Sequence, residues 1–175
     1  GLPSDNLAFS FNVIIQLGTV LAMLAFFWKD IWHIVQAFLL GIKNKKPFED
    51  FYSRLGWLII VATIPALIAG FLLQDFVKQM SADSLLWAGI RLLFTAILLF
   101  VVEYFDKKNR TLESATWLDA LTVGLFQILA IFPGASRSGS TMTGAMFRGF
   151  DRPSAARFAF LMSAPILLAA GIYES

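Results

Sequence analysis

The sequence predicts an all-α integral membrane protein, a polytopic helical bundle, from three observations. Of its 175 residues, 58% are hydrophobic and only 15% are charged, whereas a soluble domain carries about 25% charged residues. The apolar residues form uncharged runs long enough to cross a bilayer core of about 30 Å. Most of the 14 Lys and Arg residues lie in the connections between these runs. We therefore expect a single membrane domain that contacts the lipid bilayer and no nucleic acid.

We predict four spans, at about 7–28, 55–73, 85–102 and 158–172. Asn12 and Gln16 share one face of the first span, where they form hydrogen bonds between helices or line a polar site. Lys29-Asp30 closes that span, and residues 31–42 form an interfacial helix or a helical extension. Pro65 is expected to kink the second span.

Arg91 lies six positions into the third predicted span. A long cationic side chain near a helix end can extend its charge to the lipid headgroups. The sequence therefore favours snorkelling or a structural ion pair for Arg91 over a role in binding.

Residues 118–147 are predicted to be a re-entrant hairpin. The Lys and Arg residues number five in 29–54, one in 74–83, three in 103–117 and three in 148–157. The positive-inside rule places basic connections on the cytoplasmic side, and 148–157 joins the others only if 118–147 enters and returns. Its two apolar halves, separated by Pro133-Gly134, are also too short to span individually.

The turn of this hairpin, residues 133–141, carries small and hydroxylic residues around one arginine. Pro133-Gly134 is expected to end the first half-helix, and Ser140 or Thr141 to cap the second. A helix N-terminus attracts anions, and the planar fork of Arg137 suits two phosphate oxygens. The pattern predicts a phosphate site, with two alternatives. The glycines allow close helix packing, or Arg137 forms an ion pair with a distant acid.

The candidate site residues follow from this motif. Arg137 and Ser136 are the catalytic candidates. The candidate phosphate ligands are Gly134, Ser138, Gly139, Ser140 and Thr141, and Gln127 and Gln16 are candidate polar lining. The sequence identifies no convincing general base and no metal ligand set, because its glutamates lie in loops or at segment ends. The absence of cysteine excludes disulfides and a cysteine nucleophile.

The stretch Phe132–Thr141 (FPGASRSGST) closely resembles the bacterial undecaprenyl-diphosphate phosphatases, the bacitracin-resistance family. Phe11–Gly18 (FNVIIQLG), Ile64-Pro65-Ala66 and Ala155–Pro165 also match, so the resemblance covers essentially the whole chain. It implies a multi-pass enzyme of the bacterial plasma membrane. This enzyme removes the terminal phosphate of undecaprenyl diphosphate and regenerates the lipid carrier for peptidoglycan synthesis.

The resemblance also implies an inverted-repeat bundle with two re-entrant hairpins, of which this chain holds one. It further implies assistance by Mg²⁺ or Ca²⁺ and a homodimer. Carried over from the matching family motif, the residues that hold the diphosphate are Ser136, Arg137, Ser138, Gly139 and Thr141. Arg137 is the principal clamp. Gln127 takes the place of one family glutamate in a hydrogen-bonding role.

The chain departs from the family pattern at its ends. The family's acidic motif, with its serine- and histidine-containing stretch, should precede Gly1, and segments after the last apolar run are also absent. We therefore expect a fragment that lacks the catalytic acids. The competing interpretation is a transporter or flippase of polyprenyl phosphates, since broken helices at midplane serve transport equally well.

Overall fold

The computed structural model describes residues 4–81, 85–105 and 109–173, without the side chains of several positions near helix ends. These ranges confirm the all-α class. The α-helices are α1 (Ser4–Lys43), α2 (Phe51–Ser81), α3 (Leu85–Phe105), α4 (Trp117–Gln127), α5 (Arg137–Phe147) and α6 (Arg152–Tyr173). Short 3₁₀ turns at Leu112–Ser114 and Ile128–Ile131 flank α4.

Three of the described helices contain segments long and apolar enough to cross a membrane, namely Leu21–Lys43, Phe51–Val77 and Leu86–Tyr104. The chain is therefore a helical membrane protein. Helix α1 is a single 40-residue helix that continues through Lys29-Asp30, so residues 31–42 extend the first helix. Helix α2 likewise continues through Pro65.

Helices α4 and α5 form the hairpin that was predicted for 118–147. Each has 11 residues, or about 17 Å at 1.5 Å per residue, which is well short of the bilayer core. Arg148 Nε, just after α5, lies 2.6 Å from Asp119 Oδ1 in the first turn of α4. The chain therefore enters and leaves this hairpin at the same end of the bundle. The position of the hairpin within the membrane stays a prediction.

The core lies where α2, α4, α5 and α6 meet, and it includes Leu55, Leu58, Val123, Met146 and Phe158. Glycines bring these helices close together. A Cβ at Gly124 would collide with the carbonyl oxygen of Ala62 on α2, and one at Gly144 would fall 2.8 Å from Phe126 Cβ on α4. The small-residue packing alternative is thus realised at Gly144, and Gly124, outside the predicted motif, packs in the same way.

Charged residues gather at the end of the bundle where the hairpin opens. This polar layer consists of Asp30, Arg54, Arg110, Asp119, Arg148 and Arg157. Asp119 is fully buried, and its carboxylate accepts hydrogen bonds from Arg110, Arg148 and Thr116. Its hydrogen bonds to Arg110 raise the pKa of that guanidinium. Across the bundle, Arg157 Nη2 lies 2.6 Å from Asp30 Oδ1.

Replacing Asp119 with Asn should destabilise the fold. The substitution leaves Arg110 and Arg148 without their shared countercharge, and breaking a buried ion pair costs about 3 kcal/mol or more. The expected result is a lower melting temperature of the protein in detergent. Glu49→Gln is the matched control because the Lys46–Glu49 pair is exposed and such pairs contribute about 0–1 kcal/mol. Equal melting temperatures for the two variants would contradict this role of Asp119.

Replacing Gly124 with Ala should also destabilise the fold, because its methyl group would collide with the backbone of Ala62. Overpacking of this kind costs about 1–3 kcal/mol. Gly70→Ala is the control, since a Cβ at that position in α2 meets nothing within 4 Å and Ala favours a helix by about 1 kcal/mol over Gly. Thermal melting should therefore shift down for the first variant and stay level or rise for the second.

Candidate anion-binding site at the hairpin turn

The first arm of the hairpin ends as predicted. The 3₁₀ turn stops at Ile131, and Phe132 adopts an extended conformation. Gly134 has φ +88°, a conformation that glycine adopts without steric cost. The Ala135 amide donates to the Phe132 carbonyl at 3.0 Å and closes the turn.

The second arm begins four to five residues earlier than predicted. Ser136 is the N-cap of α5, because its Oγ accepts a hydrogen bond from the Gly139 amide at 3.2 Å. The prediction that Ser140 or Thr141 caps this helix was wrong. The sequence contains several hydroxyls in succession, and only the backbone conformation identifies the one that lies at the helix start.

This register places Arg137 and Ser138 in the first turn of α5. The first intrahelical bond joins the Ser140 amide to the Ser136 carbonyl at 2.8 Å, so the amides of Arg137 and Ser138 precede the helical pattern. Such first-turn amides are free to bind an anion. Ser136 accepts a bond through its oxygen, so its hydroxyl proton can still be donated to a ligand.

The Arg137 guanidinium has no ion pair or hydrogen bond with any residue in the described ranges, although its side chain is partly buried. Three arginines of the polar layer, in contrast, have carboxylate partners. Arg110 and Arg148 contact Asp119, and Arg157 contacts Asp30. The alternative in which Arg137 pairs with a distant acid therefore finds no partner within the described part of the chain.

Helix α3 packs directly against the turn. A Cβ at Gly134 would fall 2.7 Å from Ala88 Cα, and a Cβ at Gly139 would fall 3.1 Å from Thr95 Cγ2. The space that a Cβ would need at these two glycines is thus occupied by α3. Gly134 and Gly139 serve close packing, while a role for their backbone in phosphate binding stays a prediction.

Two buried polar groups on the hairpin lack a hydrogen-bond partner among the described residues, Ser140 Oγ and Gln127 Nε2. Ser140 is 1% exposed and Gln127 is 3% exposed. Burial of an unpaired polar group is costly, so a ligand or a water is expected beside them. The Gln16 side chain lies outside the described residues.

The Thr141 hydroxyl, unlike that of Ser140, has hydrogen-bond partners in its own helix. The residue is buried, and its hydroxyl donates to the carbonyl of Arg137 at 2.9 Å or of Ser138 at 3.1 Å. The hydroxyl thereby supports the first turn of α5. Direct contact between Thr141 and a phosphate stays a prediction, as do the contacts of Ser136, Ser138 and Ser140.

The turn lies far from the polar layer. From Asp119 to Ile131 the chain rises about 20 Å, at 1.5 Å per α-helical residue and 2.0 Å per 3₁₀ residue. At that depth the ring of Phe132 packs edge-on against Phe76 of α2, with centroids 6.5 Å apart. Irregular backbone at membrane depth is tolerated where it is buried in protein or lines a wet cavity.

Within the described ranges, no group of three His, Asp or Glu side chains comes together. These residues therefore do not form a protein ligand set for a divalent cation. The Mg²⁺ or Ca²⁺ that the family resemblance implies stays a prediction, and no step below depends on it.

Sequence reasoning missed two parts of this arrangement. Thr116 and Asp119 form a reciprocal capping box at the start of α4, and their T-x-x-D spacing was a readable signal. The approach of Ala88 and Thr95 to the turn had no sequence signal, because it arises only when α3 packs on the hairpin.

The fold and the site define a helical membrane protein with a hairpin whose turn carries Arg137 at the N-terminus of α5. The family model described as "Bacitracin resistance protein BacA" matches residues 2–175. The chain belongs to this family.

Several relatives are similar along the chain, and each carries the name undecaprenyl-diphosphatase. The protein of Pelodictyon phaeoclathratiforme is 41% identical over 172 residues, or 94% of this chain and 61% of the relative. Those of Thermomicrobium roseum and Corynebacterium striatum are 39% and 42% identical, over 99% and 94% of this chain and 64% and 58% of the relatives. The chain thus spans about three fifths of the length of the relatives it matches.

Single cysteines placed at Asn109 and Pro153 should react from the same side of the membrane, together with one at Lys45. All three positions are exposed, and the chain has no other cysteine. A membrane-impermeant maleimide should label them in inside-out vesicles and not in intact cells. Permeabilised cells provide the control for reactivity. Labelling of positions 109 and 153 from opposite sides would mean that 118–147 crosses the membrane once.

Proposed function

We propose that this protein hydrolyses undecaprenyl diphosphate to the monophosphate lipid carrier, and that the hairpin turn binds the diphosphate. The observation that carries the proposal is the Arg137 guanidinium, which has no acidic partner in the described ranges and adjoins the N-terminus of α5. An arginine at membrane depth costs several kcal/mol unless it is compensated. A phosphate group offers that compensation.

The proposed binding mode follows from the donors at the turn. The fork of Arg137 would contact two oxygens of one phosphate, and the first-turn amides of Arg137 and Ser138 would donate to the same group. The Ser136 hydroxyl keeps a proton to donate while its oxygen holds the helix cap. All of these donors lie within the cap and first turn of one helix, so they are held in place before the ligand arrives.

The proposed reaction is attack of water on the terminal phosphorus. The bond to the bridging oxygen breaks, its electron pair stays on the lipid monophosphate, and inorganic phosphate leaves. Negative charge on the transferring phosphoryl group is stabilised by fixed cationic and amide donors. The described residues thus supply charge stabilisation and positioning, and none of them is assigned the role of general base.

We also propose that the protein resides in the bacterial plasma membrane, as a multi-pass protein with its polar layer towards the cytoplasm. This placement puts the hairpin turn nearer the opposite face, since the turn contacts α3 at Ala88, close to the start of that helix at Leu85. A homodimer and a bound divalent cation are further proposals that rest on the family resemblance.

Replacing Arg137 with Lys should lower phosphate release from undecaprenyl diphosphate by about 100-fold or more. An ammonium group does not reproduce the bidentate fork, and the loss of one preorganised donor costs about 100- to 1,000-fold in turnover. The assay measures inorganic phosphate released by the full-length protein. Arg152→Lys is the matched control, because Arg152 is exposed and pairs with Glu103, away from the hairpin turn.

Near-normal turnover of the Arg137 variant would refute the clamp. Transport of labelled lipid carrier by the wild-type protein without phosphate release would instead favour the transporter, which uses the same phosphate site.

A further inference from the structure

We propose that Arg91 of α3 is a second arginine of this site and binds the phosphate of the diphosphate that Arg137 does not hold. The proposal rests on the proposed function and adds to it a residue that distinguishes a diphosphate from a monophosphate.

The packing of α3 on the turn places Arg91. Ala88 approaches Gly134, and Thr95 approaches Gly139. Arg91 follows Ala88 by three residues and precedes Thr95 by four, and residues at these spacings share one helix face. The backbone of Arg91 therefore lies between the two contacts, on the face of α3 that meets the turn.

The burial pattern of α3 agrees with this placement. The adjacent side chains of Ile90, Leu92 and Leu93 are 44%, 52% and 61% exposed on the outer surface of the bundle. Arg91 is only partly exposed, and its Nε atom is buried. A snorkelling arginine would instead extend its whole polar end towards water. Arg91 thus faces the protein. The sequence favoured snorkelling or a structural ion pair, and of these two the burial argues against snorkelling.

The direction of the helices brings Arg91 and Arg137 to the same region. Gly134 lies beside Ala88, and Gly139, five residues later, lies beside Thr95, seven residues after Ala88. The two chain segments therefore advance in the same direction, and α3 is parallel to α5. Helical side chains lean towards the N-terminus of their own helix. On α3 this direction leads from Arg91 towards Ala88 and the turn.

A diphosphate can engage both guanidinium groups, because it presents anionic oxygens on two linked phosphorus atoms. A monophosphate can engage only one arginine fully. Hydrolysis would therefore remove one contact from the lipid product, which favours release of the monophosphate over the diphosphate.

The test compares two ligands, the methylene-bridged analogue of farnesyl diphosphate and farnesyl monophosphate, by titration against the full-length protein. Arg91→Gln should weaken binding of the diphosphate analogue by about tenfold or more, as expected for a hydrogen bond to a charged group. Binding of the monophosphate should change by less than about twofold, because Arg91 would then act on it only as a distant charge. Arg152→Gln is the matched control, since it removes one positive charge at the other end of α3, beside Glu103.

Unchanged binding of the diphosphate analogue to Arg91→Gln would overturn the proposal, and so would an equal loss for both ligands, which indicates a structural role. If this variant does not elute as a folded protein, Arg91→Lys serves instead. The lysine retains the charge without the fork, so a smaller selective loss of about threefold is expected. The same titration distinguishes failure of this proposal from failure of the proposed function. If the turn does not bind phosphate at all, Arg137→Gln will leave the binding of both ligands unchanged.

Discussion

The buried carboxylate of Asp119 is the interaction on which the hairpin depends. It contacts Arg110 from the preceding loop and Arg148 from the far end of α5, and so joins the two ends of a segment whose turn lies about 20 Å away. A buried carboxylate requires pairing of this quality. With its ends held together, the segment can place a helix N-terminus deep in the bundle without crossing it.

This constraint explains the different environments of the arginines. In the polar layer Arg110, Arg148 and Arg157 have carboxylate partners, and their role is to hold elements together. Arg137 lies at the other end of the hairpin and has no such partner in the described ranges. The same residue type therefore serves structure at one end of the hairpin, and at the other end it is the group that we propose binds a phosphate.

Much of the fold and part of the site were predictable from the sequence. Apolar runs indicated long helices, and the charge count indicated a segment that returns to its own side. Local patterns were ambiguous at two places. Residues 31–42 suited an interfacial helix or a helical extension, and the structure shows the extension, because α1 continues through Lys29-Asp30. Ser136, and neither Ser140 nor Thr141, caps α5, because the backbone conformation selects one hydroxyl from several.

By itself the sequence determined the membrane class, the hairpin and its arginine-bearing turn, because hydropathy, charge placement and turn residues are local properties of the chain. Only the tertiary structure decided which residues surround that motif. Gly134 and Gly139 admit α3, and this packing brings Ala88 and Thr95 to the turn across more than 40 positions of chain. Such contacts depend on how helices pack, and no periodicity within one helix reports them.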